Sequence, residues 1–541
     1  MQKKGKLELT WVGKYDEEKP IEPRILVEDK EKSYGDPDSE NMLIHGDNLI
    51  ALQALQQDFA GRIKCIYIDP PFNTGAAFEH YDDNLEHSIW LDLMSRRFKL
   101  LRNLLQEEGA LFVNLDDSEA AYAKVLLDDI FGRNNYLNQI IVATNKSFGF
   151  KSTSESIFKQ ANHLLFYAKS KEKFSINMDK MFIERDYDEQ YKWVFENTEL
   201  DEQKWTWRNI NEIVAERMGY KNSRQARTNA PDIFKNEVAR YALENAQRVF
   251  RTASVTGGAL QKRIETIKKS KMNKNVIVRH PNDDMDYMFI GGERVIPYYQ
   301  RLKEIDGVML PADTITDIWT DISVEGLAKE GGVNFPKGKK PEKLIKRCLD
   351  LCTKEGDIVL DSFLGSGTTS AVAQKMNRRW IGIEMGKQAY THCKVRLDRV
   401  IDGSDQGGIS KSVDWHGGGG YHFYELAPSL LVKNDKLPVY QINPTYAFEM
   451  LCEAICKIEG FKYKQQDVFC GHSSEKRFIH VTLEFVNAGY IRSLSQHLDE
   501  GQSLLLYATK IQSDMMLPDN IEVKKIPKDL LDKCDFESEV R

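Results

Sequence analysis

The chain has 541 residues, a formal net charge of −7, 41% hydrophobic residues and 29% charged residues. This length predicts about two to four domains of ~150 residues each, with enough apolar residues for a full core. No apolar run approaches the ~18 residues of a membrane span, and we expect no signal peptide because the N-terminus lacks an apolar stretch. The eight cysteines form no C-x-x-C pair, so we expect a reducing, cytoplasmic setting and no metal site.

The first part of the chain alternates between strand and helix patterns. A charged arm, residues 1–40, precedes a strand near 42–48 and a helix over 49–59. Apolar runs and apolar residues at helical spacing then predict strands over 62–69, 110–115 and 137–143 and helices over 88–105 and 116–131. This alternation predicts a parallel, doubly wound α/β sheet, with residues 41–145 as its first half.

The alternation breaks over residues 146–300, which are polar, basic and partly helical, so we assign them as an insert. From Arg217 to Arg279 the sequence has 15 Lys and Arg against 4 Asp and Glu, a local net charge of 15 − 4 = +11. A basic segment on an acidic chain is typical of a nucleic-acid surface, although a solvated helical face would explain the charge equally well. The candidate DNA contacts in this segment are Arg224, Arg227, Lys262 and Arg263.

Strand and helix patterns resume after the insert. They predict an amphipathic helix over 340–353, a strand over 357–361, a helix over 368–376 and a strand over 379–384. We assign residues 301–403 as the second half of the α/β domain, 404–420 as a Gly-rich linker and 421–541 as a small C-terminal α/β module. The sequence therefore predicts one α/β domain that is split by the insert.

The turn Asp69-Pro70-Pro71-Phe72 follows the buried strand of the first half. Proline fixes φ near −65° and pushes the preceding residue toward extended backbone, so the turn is stiff. Asp69 and Phe72 then project as a hydrogen-bond acceptor beside an aromatic ring. This pair suits a planar ring that carries an amine, such as a nucleobase.

A glycine turn follows the strand of the second half, in the run Asp361-Ser362-Phe363-Leu364-Gly365-Ser366-Gly367-Thr368-Thr369. Glycines let a backbone approach a ligand closely, and a helix N-terminus favours an anionic group. Glu384 ends the next strand, 384 − 365 = 19 residues after Gly365, and an acid about 20 residues on binds ribose in nucleotide-binding α/β folds. No Lys follows Gly367, so the loop is not a P-loop. A nucleoside that carries a carboxylate fits better, and S-adenosylmethionine (AdoMet) is such a ligand.

Together these motifs resemble those of β-class amino-methyltransferases of DNA, and within that class the modification (Mod) subunits of type III restriction–modification systems. Residues 69–75 match the catalytic motif and residues 363–369 the AdoMet motif, in the order that defines the class. Gly46-Asp47-Asn48, residues 340–345 and residues 415–421 support the resemblance, which covers about 1–425. It implies a permuted Rossmann-like sheet in which the two motif strands lie side by side, and a target-recognition region in the insert.

The resemblance also implies the reaction, which is direct methyl transfer from AdoMet to adenine N6 of a flipped-out base. The catalytic residues would be Asp69, Pro70, Pro71 and Phe72. The cofactor-binding residues would be Asp47, Asp361, Phe363, Gly365, Gly367, Thr368, Thr369 and Glu384, although Asp47 equally well caps the next helix. Phe72 departs from the Tyr that is commoner at this place in the family, which keeps a stacking face but no hydroxyl.

Two other functions remain open at this point. N4-cytosine or RNA methylation would use similar geometry, although Asp69 favours adenine because the cytosine-N4 motif commonly has Ser there. A DNA-recognition subunit without catalysis is the third hypothesis. The implied partners are double-stranded DNA, a second copy of the chain in a homodimer, and a restriction (Res) helicase-nuclease subunit.

Overall fold

The structure is a computed structural model that describes residues 8–15, 20–72, 87–143, 160–281, 287–305, 307–322, 326–335, 338–434 and 436–536. Elements are numbered along the chain. Residues Asn73, Thr74 and Gly75 of the predicted catalytic motif lie outside the described residues.

The part of the chain before the insert contains the first helices and strands. The strands are β1 (Leu26–Glu28), β2 (Tyr34–Gly35), β3 (Met42–His45), β4 (Ile63–Ile68), β5 (Leu105–Leu115), β6 (Tyr136–Ala143) and β7 (Ala161–Ala168). The helices are α1 (Asn48–Phe59), α2 (His87–Leu104) and α3 (Ala120–Leu127). The predicted helix over 116–131 is shorter than expected, because a π-helical turn, Asp128–Gly132, follows α3.

Residues 178–315 form a second compact unit. Its strands are β8 (Phe182–Glu184), β9 (Trp193–Glu196), β10 (Thr206–Asn209), β11 (Val249–Ala253), β12 (Val278–Arg279), β13 (Met288–Ile290), β14 (Glu293–Pro297), β15 (Leu302–Ile305) and β16 (Val308–Thr314). Its helices are α4 (Ile210–Arg217), α5 (Ser223–Asn229), α6 (Pro231–Glu244) and α7 (Gly257–Met272). An antiparallel sheet has the strand order β10-β9-β11-β14-β13-β12, and β15-β16-β8 form a smaller antiparallel sheet.

The rest of the chain completes the first unit, which comprises residues 1–177 and 316–541. Its further strands are β17 (Ile318–Trp319), β18 (Ile358–Asp361), β19 (Arg379–Glu384), β20 (Gly420–Leu426), β21 (Leu431–Lys433), β22 (Tyr440–Ile442), β23 (Lys462–Gln466), β24 (Phe469–Ser474), β25 (Arg477–Val486), β26 (Ser503–Ile511) and β27 (Ile521–Lys525). Its further helices are α8 (Glu342–Cys352), α9 (Thr368–Lys375), α10 (Val395–Ile401), α11 (Phe448–Glu459), α12 (Ala488–Ser495) and α13 (Lys528–Leu531).

The main sheet of the first unit has the strand order β1-β20-β3-β19-β18-β4-β5-β7-β6-β17. Strands β3, β19, β18, β4 and β5 are parallel, whereas β7 is antiparallel to both of its neighbours. The two motif strands are adjacent, with Val359 opposite Cys65 and Leu360 opposite Ile66. The predicted permuted α/β sheet is therefore confirmed, and the motifs after β4 and β18 leave the same edge of the sheet.

Apolar periodicity explains how the helices cover this sheet. Trp90, Met94, Phe98 and Leu101 recur at helical spacing along α2, and all four are fully buried in the core of the first unit. Burial of one such side chain contributes about 1.5–3 kcal/mol. This packing fixes α2 against the sheet.

The domain boundaries differ from the prediction at several points. The insert was expected to span residues 146–300, but β7 lies in the main sheet and the second unit spans Met178–Ile315. The Gly-rich segment was expected to lead into the C-terminal module, but Gly420 begins β20, which lies between β1 and β3. The C-terminal module therefore starts after Leu426, and its five-stranded sheet has the order β23-β24-β25-β26-β27.

No helix among the described residues is long and apolar enough to cross a membrane. Within the same residues, no group of three or more His, Cys, Asp or Glu side chains could hold a metal ion.

Candidate active site

The Asp69 turn is anchored at its base by a buried tryptophan. The indole N–H of Trp90 on α2 donates a hydrogen bond to the Pro71 carbonyl oxygen at 2.9 Å. Phe72 packs against the core of the first unit and remains partly exposed. The turn therefore holds its acceptor and its ring in fixed positions at the carboxyl end of β4.

Asn114 orients the Asp69 carboxylate from the neighbouring strand. Its amide Nδ2 donates to Asp69 Oδ1 at 2.8 Å. Asn114 is the penultimate residue of β5 and has no exposed surface. Its own Oδ1 is buried and has no hydrogen-bond partner among the described residues. Asn114 was not predicted as a site residue, although a lone Asn in the apolar run of β5 is a signal of a buried polar contact.

Lys340 occupies the space between the acceptor and the ring. Its ammonium Nζ lies 2.5 Å from Asp69 Oδ2 and 4.9 Å from the centroid of the Phe72 ring. The side chain is only 15% exposed, so it is not a plain surface lysine. The pair that was predicted to receive an amine-bearing ring therefore already holds an amine, which belongs to the chain itself.

The glycine turn after β18 is held by the buried carboxylate of Asp361. Asp361 Oδ1 accepts from the Phe363 backbone N–H at 2.9 Å, and Oδ2 accepts from the Thr369 hydroxyl at 2.6 Å. Burial raises the pKa of Asp361 to about 7; these two hydrogen bonds oppose the shift, and the charges of Asp69 and Glu384 add to it. Asp361 thus links the loop to the start of α9, and its protonation depends on the charges of Asp69 and Glu384.

The two glycines of this turn have different steric surroundings. Gly365 and Gly367 have φ values of +57° and +81°, a region that other residues rarely adopt. A Cβ on Gly367 would lie 3.2 Å from the Cys393 Cα, whereas a Cβ on Gly365 would meet no atom closer than 3.9 Å, on Phe335. Gly367 is therefore required by close packing, whereas a Cβ on Gly365 would make only ordinary van der Waals contacts.

Glu384 at the end of β19 completes the loop. Its Oε2 accepts from the Gly365 N–H at 2.7 Å, and its Oε1 accepts from the Gly386 N–H at 3.0 Å and from Gln388 Nε2 at 2.9 Å. Glu384 is 1% exposed. The acid that the spacing predicted as a ribose ligand therefore stands directly beside the glycine turn.

A network of buried charged side chains contacts the glycine turn and the helix α9 that follows it. This network was not predicted from the sequence. Glu342 accepts from Lys375 at 2.9 Å and from Arg396 at 2.7 Å, and none of these three side chains has exposed surface. Lys375 also pairs with Asp405 at 2.8 Å, and Arg396 donates to the Thr368 hydroxyl at 2.7 Å. The network fixes both Thr368 at the first turn of α9 and the body of that helix.

Asp47 acts as a helix cap. Its Oδ1 accepts from the backbone N–H groups of Leu49 and Ile50 at the start of α1, and its Oδ2 lies 3.3 Å from an Arg97 nitrogen. The next residue, Asn48, donates from its side chain to the Ser362 carbonyl oxygen at 2.7 Å. The segment after β3 is therefore tied to the loop after β18.

The four candidate DNA contacts fall into two groups. Arg224 and Arg227 are exposed on α5, and Lys262 is exposed on α7. Arg263 is 7% exposed, its guanidinium lies 3.9 Å from the centroid of the Tyr287 ring, and it donates to the Ala259 carbonyl oxygen. Arg263 was predicted to contact DNA, but its guanidinium is buried against Tyr287 within the second unit.

Comparison with known proteins places the chain among methylases. A family of N6 and N4 methyltransferases, described as DNA methylase, matches residues 63–394, which is more than half of the chain. The "Probable type III restriction-modification enzyme HindVI Mod subunit" of Haemophilus influenzae is 35% identical over 473 residues, which are 81% of this chain and 60% of that protein. The type III restriction-modification enzyme EcoPI Mod subunit of Escherichia phage P1 is 27% identical over 412 residues, 66% of this chain and 58% of that protein.

The chain thus spans about 60% of the length of these two relatives. Among solved structures, the cytosine-N4-specific PvuII DNA methyltransferase is 13% identical, covers 74% of this chain and 95% of its own, and has a TM-score of 0.33. The family match includes the Asp69 turn, the glycine turn and Glu384. The chain belongs to the N6/N4 DNA methylase family.

Proposed function

We propose that the chain is an AdoMet-dependent methyltransferase that methylates adenine N6 within a specific sequence of duplex DNA, as the modification subunit of a type III restriction–modification system. The observation that carries the proposal is the adjacency of β4 and β18. It brings an oriented carboxylate beside an aromatic ring to the same sheet edge as a glycine turn with a buried acid. Ligands of open α/β sheets bind at this edge.

The Asp69 turn would receive the target base. An adenine N6 lone pair is delocalised into the ring and is a poor nucleophile. Asp69 and the Pro70 carbonyl would accept its two N–H bonds and localise the lone pair, while Phe72 stacks on the base. Stacking is worth ~1–3 kcal/mol per base, which recovers part of the cost of flipping the base out of the duplex. The rest of the advantage would come from positioning.

The glycine turn would hold AdoMet, which supplies a methyl group on a sulfonium. The fit rests on the glycine turn, where even a Cβ on Gly365 would meet no atom closer than 3.9 Å, and on the acids Asp361 and Glu384 at the ends of two adjacent strands. The buried Ser362 hydroxyl also lacks a partner among the described residues. Phe363, Gly367, Thr368 and Thr369 would shape the pocket through the backbone, and Asp47 would act through its cap.

Adenine is favoured over cytosine because the motif has Asp69 where cytosine-N4 enzymes commonly have Ser. A covalent cytosine-C5 route would need a Pro-Cys nucleophile, and the sequence has no Pro-Cys pair. Methylation of cytosine N4 or of RNA remains the second candidate. A recognition subunit without catalysis is disfavoured because both site motifs are intact.

The proposed partners follow from the relatives and from the surface of the second unit. Both type III relatives are described as Mod subunits of restriction-modification enzymes. We infer a homodimer, a Res helicase-nuclease as possible partner chain, and duplex DNA bound through Arg224, Arg227 and Lys262. The eight free, buried cysteines fit a reducing cytoplasmic setting.

Long-read sequencing of host DNA, with and without the full-length chain, tests the proposal because it reports the modified base and its sequence context together. We expect N6-methyladenine in one motif for the wild type. Asp69→Ala should abolish the mark and retain AdoMet binding, whereas Gly365→Trp should abolish binding in calorimetry. Asp38→Ala, a change of an exposed acid in the same unit, is the matched control and should leave the mark unchanged. Methylation by Asp69→Ala would refute the catalytic assignment.

A further inference from the structure

Three short helices in the second unit pack on one another and share one core. Helices α4, α5 and α6 make contacts in every pairwise combination. Their core contains Val214 and Ala215 from α4, Ala226 from α5, and Phe234 and Val238 from α6. The three helices therefore form one compact helical element.

The connection between α4 and α5 is tight and well specified. The Tyr220 N–H donates to the Ala215 carbonyl oxygen at 2.9 Å and the Gly219 N–H to the Glu216 carbonyl oxygen at 3.0 Å, the pattern of a Schellman C-cap. Gly219 supplies the required positive φ of +80°. Asn222 then caps α5, because its side chain accepts from the Gln225 N–H at 2.9 Å. A five-residue turn with a glycine, 218–222, thus separates the two helices.

A side-chain bridge fixes α5 relative to α4. Glu212 on α4 accepts from the Ser223 hydroxyl at 2.5 Å and from the Ser223 N–H at 3.1 Å. These hydrogen bonds lower the pKa of Glu212. The acid is therefore engaged in bracing the two helices.

Helix α5 presents almost all of its side chains outward. Ala226 is its only buried residue. Its exposed residues are Arg224, Gln225, Arg227, Thr228 and Asn229. The side chains of Arg224, Arg227 and Asn229 are exposed, and Arg227 acts on Glu212 only through its charge. Arg and Asn are side-chain types that pair with base edges.

The surroundings of α5 are basic. Residues 217–235 contain five Lys and Arg and one acid, a net charge of 5 − 1 = +4. Arg217 is committed to packing, since its guanidinium lies 4.4 Å from the centroid of the Tyr241 ring. Lys221 and Lys235 are exposed and flank the helix. A polyanion complements this surface.

We propose that α4 and α5 form a helix-turn-helix, and that α5 enters the major groove of the target DNA and reads base edges. The inference rests on the proposed function and names the element that selects the sequence. Two helices joined by a short glycine turn, with the second helix exposed and basic, is the arrangement by which this motif binds DNA. Arg pairs in bidentate fashion with guanine and Asn with adenine, whereas Lys residues such as Lys262 on α7 act as point charges on phosphates.

The test measures which base pairs each variant reads. After sequencing has given the motif of the wild type, methylation rates of full-length variants are measured on the motif duplex and on duplexes with each single base-pair change. We expect Arg227→Ala and Asn229→Ala to lower the rate on the motif by about 5- to 150-fold and to lose discrimination at one or two adjacent positions. Arg227→Lys should lose the same discrimination but keep the salt dependence of binding.

Two lysines on α7, outside the proposed helix-turn-helix, are changed for reference: Lys262 is the comparison and Lys268 is the control. Lys262→Ala should weaken binding on all sequences alike and reduce the salt slope. Lys268→Ala removes a charge that is already paired with Glu265 at 2.9 Å, and should change neither property. Equal melting temperatures and AdoMet affinities show that the variants are folded.

The possible failures are distinguishable. A wild type that marks no base refutes the proposed function. A wild type that marks a motif, combined with α5 variants that keep its full discrimination, refutes the helix-turn-helix assignment alone. A loss that is uniform over all sequences also refutes it, because α5 would then contact only the DNA backbone.

Discussion

Replacement of Asn114 by Ala tests whether the orientation of Asp69 limits methyl transfer. The change removes the Nδ2 donor that lies 2.8 Å from Asp69 Oδ1, at a position with no exposed surface, where water does not readily replace it. A hydrogen bond to a charged group is worth about 1.5–3 kcal/mol. If this bond holds Asp69 in its transition-state position, kcat falls about 10- to 150-fold.

Single-turnover methylation of a motif duplex, with calorimetry of AdoMet, checks this expectation. The loss should appear in the transfer rate and leave AdoMet affinity unchanged, because Asn114 lies on β5, which β4 separates from β18 and its glycine turn. Asn138→Ala, at an exposed position on β6, is the matched control. A wild-type rate for a folded Asn114→Ala variant, or a loss confined to AdoMet affinity, would refute the reasoning.

Asn114→Asp tests the same contact through the pH dependence of the methylation rate. Two adjacent carboxyl groups keep one proton between them, because both cannot ionise easily at this distance. The protonated Asp would still donate to Asp69 as Asn114 does, so activity should survive at low pH and fall as the shared proton is lost. The wild type has Asn at position 114 and lacks this shared proton, so a variant whose pH–rate profile shows no fall beyond that of the wild type would contradict the geometry.

Three further substitutions probe the glycine turn and its support. Gly367→Ala should lower the melting temperature and AdoMet affinity, because its Cβ would lie 3.2 Å from the Cys393 Cα and left-handed backbone alone costs ~1–2 kcal/mol; unchanged values would contradict this. Asp361 has its pKa raised from 3.8 to about 7, so its contribution to stability is complete below about pH 4 and is lost as the pH rises to 7. Asp361→Asn should flatten this part of the pH–stability curve, and a curve parallel to that of the wild type would refute the shift. Lys375→Met leaves Glu342 with one fewer buried partner and should cost about 3–5 kcal/mol in urea unfolding, whereas a neutral effect would show that the network is dispensable.

Local signals explain the parts of the fold and site that the sequence predicted. Proline and glycine constrain the backbone at Pro70 and Gly365 whatever surrounds them, and apolar runs located the strands that end at these turns. The resemblance carried by the two motifs and their order then implied adjacent strands, and the pairing of Leu360 with Ile66 confirms this. Glu384 was found by its distance along the chain from Gly365, because a β-α-β unit has a nearly fixed length.

Non-local contacts explain what the sequence could not give. The partners in the buried network are 30 to 54 positions apart, and nothing in the local pattern around Glu342 or Lys375 identifies either side chain as buried. Asn114 and Asp69 are 45 positions apart and meet only because β5 lies beside β4. A polar residue within an apolar strand signals burial with a partner, but the partner is known only once the strand order is known.

The count of charges predicted Arg263 as a DNA contact, whereas its helical spacing predicts a buried position on α7. Positions 263, 266, 267 and 270 recur at i, i+3, i+4 and i+7, and all four are the buried positions of α7. The polar residue types on this face hid the pattern, because Arg, Thr and Ser are rarely expected inside. A basic segment therefore has to be divided by helical face before its charges are assigned to DNA.

The contacts of Lys340 indicate which kind of group the Asp69 turn would accept under the proposed function. Asp69 Oδ2 and the Phe72 ring together hold an ammonium, so the pair accepts an N–H donor that also presents a face or a charge to the ring. A flipped base with an exocyclic amine supplies the same donor and adds stacking area. The base and Lys340 would compete for the same oxygen, so productive binding requires the lysine to move aside. Lys340 lies two residues before α8, and Glu342 of α8 belongs to the buried network next to the glycine turn. Movement of Lys340 would therefore also shift the position of the glycine turn that is proposed to hold AdoMet.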